Sequence, residues 1–162
     1  MKGSQRVLEH LQKLLNNELA ARDQYFAHAE MYRDWGLFKL CERLDHEREE
    51  ETEHAQALIQ RMLFLEATPN LGTPDPLNVG SSVKQMLEND LQVEYTVDAA
   101  LKEAIKVCEE EQDYDTRRIL VKLLDDTEMD HAYFLERQLG LIEKVGLQNY
   151  IQSQMGEEPA QA

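Results

Sequence analysis

Apolar residues recur every three to four positions through four long stretches of this chain, the period of helices that bury one face. In the first stretch Leu8, Leu11, Leu15, Tyr25, Ala29 and Tyr32 share a face, which predicts helix A from about Gln5 to Trp35, stopped by Gly36. Leu40, Leu44, Ala55, Leu58, Met62 and Leu65 do the same for helix B, from Phe38 to about Glu66. Pro69, Pro74 and Pro76, with Gly72 and Gly80, then make residues 67–80 a loop. Helix connections in bundles usually take roughly 2–8 residues, so this loop is expected to cross the bundle and return helix C on its far side. Ser81 or Ser82 is a candidate N-cap for helix C, which carries Leu87, Leu91, Leu101, Ile105 and Cys108 on one face as far as about Glu111. Helix D is expected from about Tyr114 to Lys144, with Leu120, Leu124, Leu135 and Ile142 inward. Gly146 breaks it, Leu147 to Gln154 reads as a short fifth helix, and residues 157–162 read as a disordered tail. The expected fold is one all-α domain over 1–156: a four-helix bundle over 5–144 with a long B–C crossover, then the fifth helix.

Polar residues interrupt these stripes in a repeated order. Glu18 sits inside the stripe of helix A and Glu94 inside that of helix C, while helices B and D carry Glu51-x-x-His54 and Glu128-x-x-His131. A Glu three residues before a His shares its helical face, so both reach one ion. Two such pairs are not rare by chance in a chain this acidic; their position on core-facing seams changes the weighing. Four buried carboxylates without partners would cost many kcal/mol or protonate, and no seam carries enough Lys or Arg to neutralise them, Arg22 near Glu18 being one candidate. Two divalent cations bring +4 against −4, and two imidazoles complete the shell. A single Glu on two helices and Glu-x-x-His on the other two is the ligand order of ferritin-like di-metal bundles. An oxygen-rich set without thiolate favours iron or manganese, with zinc also able to bind. Tyr25, two turns after Glu18 on the same face, is a candidate to hydrogen-bond the site or donate an electron; the alternative is an ordinary core aromatic.

Composition narrows the classes. The 162 residues suffice for one domain with a real core. A formal net charge of −15 argues against nucleic acid or anionic lipid as a partner and suits a protein that attracts cations. Apolar runs are short and broken by charge, so no membrane span is expected. The start of the chain, Met1 to Arg6, enters a helix without an apolar leader run, so the cytoplasm is the expected compartment. Cys41 and Cys108 lie among apolar residues and read as free buried thiols.

Several segments together resemble the bacterioferritins along nearly the whole chain: Glu18-Leu19-Ala20-Ala21-Arg22-Asp23-Gln24-Tyr25-Phe26, the Glu51/His54 turn, Leu63-Phe64-Leu65-Glu66, Glu128-Met129-Asp130-His131, and Gly146-Leu147-Gln148-Asn149-Tyr150. The resemblance implies a hollow 24-subunit shell, ferroxidase activity at a di-iron centre, and storage of ferric mineral. It also implies that Glu18 and Glu94 are terminal ligands, that Glu51 and Glu128 bridge, and that His54 and His131 each cap one iron. Haem-binding members carry Met directly after the bridging Glu of helix B; here that residue is Thr52. A hydroxyl is a poor axial ligand, so haem is not expected through this chain's own side chain. That fits a haem-free bacterial ferritin, or the oxidase subunit of a shell mixed with haem-bearing subunits. His46 and Glu50, at i and i+4 on helix B, match a pair that binds iron on the inner surface in the family; the alternative is a solvated acidic face. A ferredoxin that reduces the mineral is implied as a partner, and Thr52 puts it in question. The rival enzyme class is a non-cage di-iron oxidase or peroxidase.

Overall fold

The computed structural model describes residues 1–160, all of whose regular elements are helical. Four long rods form the bundle: α1 (Gln5–Asp34), α2 (Phe38–Phe64), α3 (Val83–Glu110), and a fourth made of α4 (Tyr114–Asp125) and α5 (Tyr133–Val145) joined by a π-helical segment, Asp126–Ala132. A short α6 (Leu147–Ser153) follows. The all-α bundle expected from the hydrophobic period is therefore the observed architecture. α1 packs on α2 and α3, and α3 packs on the fourth rod.

Three helix ends share one stop. Leu37 N–H donates to Tyr32 O, Ala67 N–H to Met62 O and Asp113 N–H to Cys108 O, each at 2.9 Å, the six-to-one bond of the Schellman motif. The left-handed residue that makes the bond is Gly36 in the first turn but Glu66 and Gln112 in the others. Ser82 caps α3 by accepting from Gln85 N–H, and Asp113 caps α4 by accepting from Thr116 N–H. The N-terminus of α2 has no side-chain cap; the carbonyls of Met155 and Gln154 accept from Phe38 and Lys39 N–H instead. The chain after α6 thus closes the head of α2. Residues 155–160 have no regular structure, and the remainder of the tail expected to be disordered, residues 161–162, lies outside the described residues.

Two apolar clusters fill the bundle. One gathers Leu11, Leu15, Leu58, Met62, Leu101 and Leu120; the other gathers Tyr25, Tyr32, Leu40, Leu44, Leu87, Leu135 and Tyr150. Along every rod the change from one cluster to the other falls where acidic and imidazole side chains interrupt the stripe: Glu18, Glu51 and His54, Glu94, and His131. The interruption is a polar layer between two dry cores. Cys41 and Cys108 are free and buried. Among the described residues no helix is long and apolar enough to cross a membrane.

Candidate metal centre

The polar layer converges on two triads. Glu18, Glu51 and His54 each offer one ligand atom within 4.8 Å of the others, and Glu51, Glu94 and His131 do the same. Glu51 belongs to both, and its two oxygens are divided between them. Oε2 lies 3.3 Å from His54 Nδ1, and Oε1 lies 3.0 Å from His131 Nδ1. Glu18 stands 3.8 Å from His54 Nδ1 on one side, and Glu94 3.6 Å from His131 Nδ1 on the other. The imidazoles are nearly parallel, with ring centres 5.7 Å apart. All five residues are buried.

Several of these atoms lack what burial normally demands. Both oxygens of Glu18, Oε2 of Glu94 and Nδ1 of His131 have no hydrogen-bond partner; the close Glu51 oxygen is not aligned with His131 Nδ1. Among the described residues no Lys or Arg pairs with Glu18, Glu51 or Glu94, and Arg22 turns to Asp23 at 3.1 Å. Orphaned donors of hard chemistry that converge without a counter-cation fit a divalent metal pair.

Protons hold the layer together when metal is absent. Burial, then the charge of Glu51, pushes the Glu18 carboxyl well above the usual carboxylate range. Burial acts on Glu51 in the same sense, but the neighbouring Glu18, His131 and His54 side chains outweigh it and hold Glu51 below that range. Burial alone would lower His54, yet the neighbouring carboxyl groups of Glu18 and Glu51 raise it to about 11. His131 is likewise held well above its ordinary value by Glu94, Glu47, Glu50 and Glu51 against the opposing effect of burial. Two imidazolium charges therefore face three carboxyl groups, of which burial favours the neutral form of Glu18 most and of Glu94 as well.

The sixth expected ligand is placed elsewhere. Glu128 is exposed and pairs with Lys102 at 2.7 Å, so the reading of an inward Glu128 one turn before His131 is corrected here. The cause is the π-helical backbone. Its i→i+5 bonding gives roughly four to five residues per turn, so the residues four and five before His131 share its face. Thr127 is accordingly buried and Asp126 reaches His54 Nε2 at 3.2 Å, while Glu128 falls to the side.

Tyr25 is buried, and its O–H donates to Glu94 Oε1. His46 is exposed and stands 3.5 Å from Glu50. Glu50 lies close to the pair, because His131 reaches across to it at 3.0 Å. Thr52 is exposed and donates to its own helix at Arg48 O.

Other buried polar groups escaped the sequence reading. Glu47 lies 2.9 Å from His131 Nε2 and is neutralised by Arg43, which also bonds Asp130 at 2.7 Å. Its signal was available: Glu47, Glu51 and His54 lie at i, i+4 and i+7. His28 is fully buried, with Nδ1 2.8 Å from Asp90. Gly80 N–H donates to His28 Nε2 and Asn78 N–H to Gln24, so the crossover is pinned to α1 beside the polar layer.

The fold and this cage define a class, the helix bundles with buried carboxylate and imidazole groups that could hold metal. The sequence model of the ferritin-like domain matches residues 8–145. A bacterial ferritin of Synechocystis is 63% identical over 155 residues, 96% of this chain and 99% of that protein. A bacterial ferritin of Pseudomonas aeruginosa is 55% identical over 96% of this chain and its own full length, and a bacterioferritin of Brucella melitensis 41% identical over 99% of this chain and 98% of its own. The chain belongs to the ferritin family.

Proposed function

We propose that this chain stores iron and is a ferroxidase: it takes two Fe2+ ions as substrate, oxidises them with O2 or H2O2, and passes Fe3+ to a mineral inside a shell of 24 copies. The observation that carries the reading is the division of Glu51, one oxygen toward each imidazole. Glu18, Glu51 and His54 take one Fe2+, and Glu51, Glu94 and His131 the other. Glu128 stands outside both triads on Lys102 and would supply a fourth carboxylate only by leaving that ammonium for the ion on the His131 side. Each Fe2+ gives up one electron. With O2 and two protons, two Fe2+ yield two Fe3+ and H2O2; with H2O2 and two protons, they yield two Fe3+ and two waters.

Tyr25 orients Glu94 by occupying Oε1, which leaves Oε2 for the ion. Glu50, between His131 and His46, is the step by which iron leaves toward the surface. The cytoplasm is the proposed compartment. Thr52 offers no thioether, so haem is not assigned to this chain's own side chains; intact-mass measurement of native shells tests whether haem-bearing subunits join it.

An anaerobic Fe2+ titration followed by O2 tests the activity. The expected result is a fast absorbance phase saturating at about two irons per chain, lost in Glu51→Ala. No fast phase in the unmodified protein overturns the ferroxidase reading, and a particle of one or two chains by light scattering overturns the shell.

A further inference from the structure

Each imidazole of the cage has two nitrogens, and they face different company. On Nδ1 are the carboxylates of the two triads. On Nε2 are acids that belong to neither triad. His54 Nε2 is 3.2 Å from Asp126; His131 Nε2 is 2.9 Å from Glu47 and 3.0 Å from Glu50. The partners cross over. Asp126 comes from the π-segment that carries His131, whereas Glu47 and Glu50 come from α2, the helix that carries His54. In both cases a base four residues earlier holds one of these acids: Arg43 for Glu47 and Lys122 for Asp126. Base, acid and imidazole thus repeat between the halves of the bundle, alongside the repeated ligands.

From this arrangement we propose that Asp126 and Glu50, with Glu47 beside it, are positioning residues for the two histidines. Asp126 and Glu50 each accept the Nε2–H of an imidazole from the other helix, Glu47 adds its charge at 2.9 Å, and Nδ1 is left as the nitrogen that meets the ion. The proposal rests on the metal reading of the cage and adds to it. An imidazole binds a cation through a bare nitrogen, and which nitrogen is bare is set by the hydrogen bond at the other. A carboxylate accepts and cannot donate, so it selects the Nε2–H form; a carboxamide also donates and accommodates either form. The paired bases have a part in this. With a guanidinium or ammonium on it, an acid beside the cage keeps its imidazole bond and is a weaker competitor for the cation. The crossed geometry also ties α2 to the fourth rod on both sides of the polar layer, so the two rings keep their nearly parallel setting.

Anaerobic titration of the assembled protein with Co2+ alone, read by visible absorption, tests this without turnover. The unmodified protein is expected to bind about two Co2+ per chain. In Asp126→Asn the His54 sub-site should weaken by roughly 10–100-fold while the other keeps its affinity. Glu47→Gln combined with Glu50→Gln should do the reverse. Placed in a His54→Ala background, Asp126→Asn should cost nothing further, because the group it positions is gone. Unchanged affinities in both carboxamide variants overturn the proposal. Equal weakening of both sub-sites by either variant also overturns it, since that is the mark of a general loosening of the bundle. Failure of the unmodified protein to bind two Co2+ is a separate outcome, which removes the metal reading itself.

Discussion

α2 and the fourth rod carry the same Glu-x-x-His motif and treat it differently. α2 is regular α-helix through Glu51 and His54, and both side chains are buried in the cage. The fourth rod is π-helical through Glu128 and His131; the imidazole is buried and the carboxylate lies on Lys102. A spacing of three residues is a statement about direction only once the helix type is known. The comparison also separates one carboxylate shared by both triads from one that belongs to neither.

The sharpest way to break this contrast is to remove the two glutamates in turn. Glu51→Ala deletes a ligand from both triads, so binding of both Co2+ ions should fall by more than the roughly 10–100-fold typical of losing an outer partner. Glu128→Ala should weaken the two-metal state without abolishing the first binding event, because the Glu18–His54 side keeps its ligands. Equal losses in the two variants, measured by anaerobic titration, would mean that the halves do not differ in the way their backbones do.

Acidity sharpens the comparison next. The imidazoles of both halves are held above their ordinary range, His54 at about 11, so cations must displace protons. Loading at neutral pH should release about two protons per chain, with a third below the raised pKa of Glu18, and apparent affinity should rise with pH. For folding the sign runs the other way. A raised histidine stabilises the metal-free protein fully below about 6.5 and loses that contribution as pH rises through about 11. Metal-free protein should therefore melt earlier toward the alkaline side, and loading should remove this dependence. A melting temperature that responds to pH alike in both states would contradict it.

Much of this was legible in the residues, and the failures have one cause. Period and punctuation locate the helices because burial of one face repeats every 3.6 residues. Glu18, Glu51, His54, Glu94 and His131 stand out because a charge on a core seam needs an explanation. What stayed hidden depends on direction between elements. Asp126 and Glu50 bond histidines on the opposite helix, and Asp90 meets His28 across α1 and α3. Glu128 was misread because nothing in the spacing Leu120, Leu124, Glu128 announces an i→i+5 turn; an α-helix accommodates the same residues.

Lys102 offers a smaller test of the same difference. Its ammonium lies between Asp98 and Glu128, at 2.9 and 2.7 Å, on the surface. An exposed pair of this kind contributes about 0–1 kcal/mol. Lys102→Met should therefore raise the affinity of the His131 side by no more than roughly five-fold, through the freed Glu128. No gain would mean that Glu128 does not enter the metal-bound state from this position.

The halves differ once more at their turns. Between α1 and α2 the left-handed position is Gly36 at φ 74°, with nothing within 4 Å of where a Cβ would stand. Between α3 and α4 the same position holds Gln112 at φ 58°. A side chain in that conformation costs roughly 1–2 kcal/mol, reduced by the greater freedom glycine has in the unfolded chain. Gly36→Ala should thus destabilise by about 1 kcal/mol and Gln112→Gly stabilise by a similar amount. For chains of this size each change moves Tm by roughly 2–4 °C, in opposite directions. Because no atom crowds Gly36, a loss there reports backbone conformation alone. If Gln112→Gly instead lowers Tm, the glutamine side chain contributes more at the second turn than its backbone strain removes, and the turns are not equivalent stops.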